Sequence, residues 1–502
     1  PSLERDWVRT ADIPGMAEAA ARVAQAVRSG ERIVVFGDFD LDGISAAATA
    51  ALGLRAMGGA VEAAVPHRFR EGYGLTPAAI ERLVAMTPDL VVTVDCGISN
   101  AEEIEALKAH GIDAVVTDHH EPGSGMPSGV PVADPKLRDG GPEVSGAGVA
   151  LALVQAVGEQ LGHPDVWRDL TDLAMLGTVA DIVPLVGANR ALVADGLERI
   201  RRAPRPGLAA LAAVSGIETA TLDADRVAYS LAPRLNAAGR MADPEIAVRL
   251  LLGEEPAEVE VLAHALDEHN RVRQATESDL YDAALAEAER TFTPGGRVLV
   301  VAGESWHEGV RGIVASRLTS RFGVPSLVFC VEDGEAQGSG RSIEGVDLYA
   351  ALAELAPMLH RYGGHAMAVG LALPAADLAE FTRALSAQLS SVPAEAFVGS
   401  VAIDAEVPLD ALSRELAREL ALLGPFGFGN RRPLLATRGV FMNGRKRVGK
   451  AEEHLRFTAY DGVAAVPAIA FRCPEIATFA DTETAVDLAF EVDATEWRGV
   501  ER

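Results

Sequence analysis

Asp38-Phe39-Asp40-Leu41-Asp42-Gly43 sets three carboxylates within five residues, directly after the apolar run Ile33-Val34-Val35-Phe36. Alternating positions on an extended backbone or a tight turn cannot hold that much negative charge unpaired. The group either faces open water or surrounds cations. Three more sites carry related chemistry: Asp95 in Val94-Asp95-Cys96-Gly97, the run Asp118-His119-His120, and Asp181 in Gly177-Thr178-Val179-Ala180-Asp181. Carboxylates and imidazoles without thiolates suit Mn²⁺ or Mg²⁺. A pair of such ions held ~4 Å apart activates a water and steadies a phosphoryl transition state. Blander readings stand beside this one. A single Asp after a strand is usually a helix cap or turn residue, and Asp-Gly is a common turn pair. Each site alone fits that description; their joint placement does not.

The elements that must position these groups alternate in type. Residues 1–30 read as helix. Short β-rich runs follow at Ile33–Gly37, Val61–Pro66, Leu90–Asp95, Ala114–Asp118 and Val130–Ala133. Helical patterns lie between and after them, at Ser45–Met57, Thr76–Met86, Ala101–His110, Gly146–Leu161, Asp165–Val179 and Asn189–Arg201. That alternation is the signature of a parallel α/β sheet, whose ligands bind beyond the carboxyl ends of its strands. The acidic and histidine sites therefore converge on one crevice. Residues Glu254–Arg290 predict a long connector helix with a solvated charged face. A second α/β unit begins at Val298–Val301, with Val310–Arg321 as helix and Pro325–Cys330 as strand. From Val401 the pattern changes to short strands and turns, as in a small β-barrel: Gly439–Asn443, Leu455–Tyr460, Ala464–Phe471 and Leu488–Val492. The expected division is 1–245, connector 246–290, 291–392 and 393–502.

At 502 residues the chain exceeds one ordinary core. No apolar run reaches the ~20 residues that span a bilayer. No secretory pattern opens the sequence, and Pro1 rather than Met begins it, so a trimmed or renumbered segment is expected. Cys96, Cys330 and Cys473 show no disulfide or metal spacing, which fits a reducing cytoplasm. The formal net charge of −27 argues, taken whole, against a polyanionic partner. A local basic groove can coexist with it, and carboxylates around metals count in the total while being neutralised in place.

Asp38–Gly43, Asp95-Cys96-Gly97 and Asp118-His119-His120, in that order, resemble the DHH phosphoesterase superfamily. Arg70-Glu71-Gly72-Tyr73-Gly74-Leu75, Gly146-Ala147-Gly148-Val149-Ala150, Gly177–Asp181 and Arg234-Leu235-Asn236-Ala237-Ala238-Gly239-Arg240 narrow the resemblance to its RecJ branch. The second unit resembles the DHH-associated domain through Trp306–Val310, Gly338–Ser342 and Gly363–Gly370. This resemblance implies a single-stranded-DNA exonuclease releasing mononucleotides from the 5′ end, with two Mn²⁺ or Mg²⁺ ions. It implies Asp38, Asp40, Asp42, Asp95, His119 and Asp181 as metal ligands, Asp95 bridging, and His120 facing the scissile phosphate. Asp118 is expected to hold a neighbouring loop or a ligating imidazole. An OB-like fold is implied for the C-terminal region.

Gly338–Ser342 offers backbone N–H groups, a hydroxyl and a guanidinium suited to a phosphate, Ser339 and Arg341 supplying the side chains. A Gly-rich hairpin is the plainer alternative. Matching motifs add Arg311, His365 and Arg240. Arg68 and Arg70 could touch the same strand, with Tyr73 stacking on a base. Arg445, Lys446 and Arg447 lie in the densest basic run, Gly444–Lys450, near Phe441 and Phe457. Phe426–Asn430 reads as a junction between domains rather than a stacking platform. A slot between the α/β units, passing only an unpaired strand, is the expected basis of strand selectivity. The expected partners are single-stranded DNA, a single-strand binding protein and a helicase, with no membrane, for a monomeric cytoplasmic enzyme. Two other readings remain: an oligoribonuclease or cyclic-dinucleotide phosphodiesterase of the same superfamily, and a non-catalytic DNA-binding replication scaffold.

Overall fold

The computed structural model describes residues 1–68, 70–72, 74–123, 125–449, 452–472 and 484–493, and the backbone of 496–497 and 500–501. Tyr73, Lys450 and Cys473 lie outside the described residues.

Five parallel strands form the first sheet: β1 (Arg32–Phe36), β2 (Ala60–Ala64), β3 (Leu90–Val94), β4 (Asp113–Thr117) and β5 (Val132–Ala133), in the order β2-β1-β3-β4-β5. β3 is buried along its whole length, as a central strand covered on both faces must be. The helix Leu41–Ala56 is apolar all round and packs between the sheet and the helix Gly146–Leu161. It begins four residues earlier than the apolar pattern suggests, because Asp40 caps it: its side chain accepts from the N–H groups of Asp42 and Gly43. Asp42 therefore sits in the first helical turn rather than on extended backbone or in a turn.

The N-terminal 30 residues are not one helix. A single turn at Leu3–Asp6 and a 3₁₀ turn at Thr10–Asp12 precede the helix Met16–Ser29. Gly15, at φ +76°, breaks the run: a Cβ there would stand 1.7 Å from the Val132 carbonyl oxygen of β5.

The connector helix spans Pro256–Thr291 and packs on both α/β units. The second sheet runs β6 (Leu299–Glu304), β7 (Ser326–Glu332), β8 (Glu335–Arg341), β10 (Ala368–Pro374), β9 (Arg361–His365). Only β6 and β7 are parallel, so this unit is mixed. Its core includes Leu327, Phe329, Leu371 and Phe381, the two phenylalanines meeting edge to face at 6.1 Å.

The C-terminal strands are β11 (Ala405–Glu406), β12 (Leu435–Val448), β13 (His454–Tyr460) and β14 (Ala465–Ala470), in that order, with β15 (Val486–Phe490) paired to β12. β12 is longer than the sequence pattern indicates. It carries a bulge between Asn443 and Lys446 and takes up the basic run, Lys446 pairing with Arg456. This region docks on the first unit. Arg432 meets Asp225 at 2.7 Å, and Arg190 donates to the carbonyls of Leu423 and Gly424. Among the described residues, no helix is long and apolar enough to cross a membrane.

Candidate metal centre

Each strand of the β1, β3, β4 trio delivers a carboxylate at its carboxyl end. Asp38 lies two residues past β1, while Asp95 and Asp118 immediately follow β3 and β4. Asp181 arrives from another direction, at the C-terminus of the helix Thr171–Ala180. Asp95 holds φ +60°, an uncommon conformation for a residue other than glycine, and this aims its carboxylate at His119.

His119 is the junction. Its Nε2 lies 3.0 Å from Asp95 Oδ1, 3.7 Å from Asp42 Oδ2 and 3.8 Å from Asp181 Oδ2. Two groups of ligand atoms, each close enough to hold one ion, share it: Asp95–His119–His120 and Asp42–His119–Asp181. His119 Nε2 and Asp95 Oδ1 are buried yet make no hydrogen bond in spite of their closeness. Two unsatisfied ligand atoms pointing at one place are what a cation site requires. The donor set, all oxygen and imidazole nitrogen, fits Mn²⁺ or Mg²⁺.

The backbone shapes this crevice closely. Gly146 N–H donates to Asp42 Oδ2 at 2.7 Å and Ala147 N–H to Asp42 Oδ1 at 2.9 Å, at the N-terminus of the helix Gly146–Leu161. A Cβ on Gly146 would reach 2.4 Å from Asp95 Oδ1, and one on Gly177 2.2 Å from Asp42 Oδ1. The two glycine motifs thus leave room for carboxylates.

Asp118 is buried and works as a holder. Its Oδ2 accepts from Ile98 N–H at 3.0 Å, and its Oδ1 from His120 Nδ1 at 2.7 Å and His119 N–H at 2.8 Å. It grips the half-exposed His120 ring, not that of His119. Asp38 and Asp40 stand outside both ligand groups. Asp40 is occupied as a helix cap, the blander role that its sequence context allows, and Asp38 Oδ1 accepts from Phe39 N–H at 2.7 Å.

Burial and mutual repulsion push the carboxylates up. Asp38 is raised to about 7 by burial and by Asp40. Asp181 is raised to about 7 by burial and by Asp42, and Asp42 and Asp95 are raised as well. His120 goes the other way for a base: burial opposes its charge, but the Asp118 bond outweighs burial and raises it to about 9. Burial also raises Asp118, yet the His120 bond and charge outweigh it and hold that carboxyl below its usual range.

A stability prediction follows from Asp38 and Asp181. Their folded values, about 7, exceed the ordinary 3.8, so the folded chain binds more protons than the unfolded one between those limits. The stabilisation is complete below the ordinary value and is lost as pH rises through about 7. Metal-free protein is therefore expected to have a higher thermal midpoint at pH 5.5 than at pH 7.5, roughly, and Mn²⁺ should raise the midpoint more at the higher pH. Thermal scans at both pH values, with and without the ion, check this. An equal rise at both would contradict it.

The sequence reading passes over two participants. Asp134 follows β5, is fully buried, and is raised to about 6 by burial and by Asp118. The strand-end rule that selects Asp95 and Asp118 also selects Asp134. Asn236 belongs to a motif already noted, but its target was invisible: its Oδ1 accepts from Leu41 N–H at 2.9 Å and fixes the start of the helix bearing Asp42.

The substrate-holding residues divide. Arg240 donates to the Gly309 carbonyl across the two α/β units at 3.3 Å. Arg311 is buried and donates to the Gln337 carbonyl at 2.5 Å. Gly338–Arg341 is not a phosphate loop but part of a Gly-rich hairpin, the second arm of the antiparallel β7–β8 pair. It lies in β8, between β7 and β10, so its backbone N–H groups face ladder partners. Gly338 and Gly340 make room for Phe329 and Leu348, and Ser339 and Arg341 point to the other face, Arg341 lying over Gly312. Only these two side chains remain to meet a ligand. His365 is exposed at the end of β9, and Arg70 is exposed close to His67. On β12, Lys446 and Arg447 are exposed and Arg445 half-buried.

A parallel sheet with this carboxylate and imidazole crevice, joined by one long helix to a mixed α/β unit, defines a DHH-type architecture. Family models agree along the chain: the DHH family N-terminal domain over residues 32–178, the DHHA1 domain over 295–391 and the RecJ OB domain over 403–502. A single-stranded-DNA-specific exonuclease RecJ from Salmonella typhimurium is 36% identical, covering 97% of this chain and 88% of its own length. The RecJ of Bacillus subtilis is 33% identical over 98% of this chain, and the match spans 63% of that relative's length. The crystal structure of Thermus thermophilus RecJ in complex with Mn²⁺ superposes with a TM-score of 0.84 at 35% identity, covering 97% of this chain and 70% of that one. The chain belongs to the RecJ family.

Proposed function

We propose that this chain is a single-stranded-DNA exonuclease that digests from the 5′ end and releases 5′-mononucleotides, acting in DNA repair and recombination with two divalent ions, Mn²⁺ or Mg²⁺. The observation that carries the reading is the pair of ligand groups sharing His119 at the carboxyl edge of the sheet. It is supported by the RecJ relatives, which are named single-stranded-DNA-specific exonucleases, and by the Mn²⁺ complex of one of them.

Asp42, Asp95, His119 and Asp181 would hold the ions, with Asp38 and Asp40 beside them in the acidic wall. Bound there, the ions supply Lewis-acid polarisation of the phosphate and an activated water. His120, half-exposed and held through Nδ1 by Asp118, turns its other ring edge toward the place of the scissile phosphate. Asp118 fixes the direction of that ring. Arg240, Arg311, Ser339, Arg341, His365, Arg70 and Tyr73 hold the strand, and Arg445, Lys446 and Arg447 extend the hold along β12. The protein partners expected of this activity are a single-strand binding protein and a helicase, the enzyme being a cytoplasmic monomer.

Digestion of 5′- and 3′-labelled single strands with Mn²⁺ tests activity, substrate and direction together. The 5′ label should appear at once as mononucleotide, while the 3′ label stays in a shortening ladder. Blunt duplex should resist. Intact strands, or a reversed labelling pattern, would contradict the proposal.

A further inference from the structure

Two loops meet beside the metal centre and leave apolar side chains bare. One runs from Asp181 to Val186; the other is Phe426–Asn430. Leu185 N–H donates to the Phe428 carbonyl at 2.7 Å. Gly427 and Gly429 permit this approach. A Cβ on Gly427 would lie 2.6 Å from Leu185 Cδ1, and one on Gly429, at φ +71°, 2.9 Å from Pro184 Cβ. With both flanking residues reduced to backbone and pressed inward, Phe428 is left outside, 59% exposed. Ile182 is 65% and Val186 52% exposed.

Ile182 carries a second oddity: its φ is +60°. Branching at Cβ makes that region unfavourable, and the side chain is not repaid by burial. An isoleucine that is strained and bare at once points to a contact outside the fold. Its position says which contact. Asp181, one peptide bond away, approaches His119 Nε2 at 3.8 Å, so this loop begins at the metal centre. In the other direction the chain runs from Phe428 through Arg431 and Arg432 into β12, with its basic residues. An occupant joining the two must be a polyanion with flat apolar faces. A nucleic-acid strand with unpaired bases meets that description.

We propose that Phe428, with Ile182 and Val186 on the adjoining loop, is a base-stacking platform for the single strand between the metal centre and the β12 sheet. This rests on the nuclease reading above. The platform takes any base by its face, so it adds affinity without sequence preference, and a paired base is shielded from it.

The test is binding of a fluorescent 15-nucleotide single strand, of roughly the length an OB-type groove covers, to the metal-free full chain. The proteins are wild type, Phe428→Ala, Phe428→Trp and Ile182→Gly. Each is titrated with the intact strand and with strands carrying abasic sugars at successive positions. Phe428→Ala should weaken binding of the intact strand ~10-fold, the loss of one stacked base, and Phe428→Trp should retain it. Abasic sugars at one register should weaken the wild type by a similar factor but cost Phe428→Ala nothing further. Ile182→Gly should melt no lower than the wild type and bind less tightly. Wild-type affinity in Phe428→Ala, or equal abasic losses in both proteins, would overturn the platform while leaving nuclease activity intact. Should Phe428→Ala fail to fold, unchanged affinity in Ile182→Gly overturns it. A wild type that degrades no single strand overturns the nuclease reading instead, and the platform with it.

Discussion

Replacing His119 by alanine is expected to lower degradation of single-stranded DNA more than ~100-fold, beyond the range typical of residues that act on a metal only through a ligand. The reason is positional. Asp95 and Asp181 each belong to one ligand group, whereas His119 belongs to both. Its Nε2 is within 4 Å of three carboxylates, so its loss opens both groups together. Binding of the strand should survive, because the residues proposed to hold it are untouched. His119→Ala should also leave Asp42, Asp95 and Asp181 facing one another without an imidazole. Single-turnover assays with Mn²⁺, beside a binding titration, separate the two effects. Undiminished turnover would place the chemistry elsewhere.

The second large effect comes from a residue with no functional group. Gly177→Ala introduces a Cβ 2.2 Å from Asp42 Oδ1 and 2.7 Å from the Ala147 Cβ. Neither neighbour can retreat. Asp42 is held by the Gly146 and Ala147 N–H groups, and Ala147 is fixed in a buried helix. Overpacking of this kind costs ~1–3 kcal/mol. The displaced carboxylate is also one side of the Asp42–His119–Asp181 group. A lower thermal midpoint together with a loss of Mn²⁺ affinity is expected. Gly399→Ala, at a glycine with nothing within 4 Å of a new Cβ, should change neither. Normal Mn²⁺ affinity in Gly177→Ala would show that Asp42 is not needed in place.

Much of this centre was legible in the sequence because parallel sheets gather ligands at strand ends. Asp95, Asp118 and His119 lie where that rule places them, and Asp134 was missed only by not applying it once more. Asp38–Gly43 was harder. Three alternating carboxylates look like one ligand cluster, but Asp40 is taken up as a cap, which turns Asp42 inward on the first helical turn. The partners of Asp42 could not be read locally, since Gly146 N–H comes from 104 residues away. Gly338–Ser342 misled for a related reason. Glycines in a central strand and glycines in a phosphate loop look alike until the core facing them, Phe329 here, is known. The basic run on β12 was disguised by a bulge, which lets one strand continue past Gly444. The order of α/β followed by an OB-like region was clearer, because the periodicity changes between them.

The account depends most on His119, the imidazole around which the Asp42, Asp95 and Asp181 carboxylates gather. Calorimetric titration of Mn²⁺ into wild type and His119→Ala at pH 7.5, roughly, measures this directly. The wild type should take up two ions and release protons on binding, and His119→Ala should bind neither ion at comparable concentrations. Two ions held with undiminished affinity by His119→Ala would contradict the account.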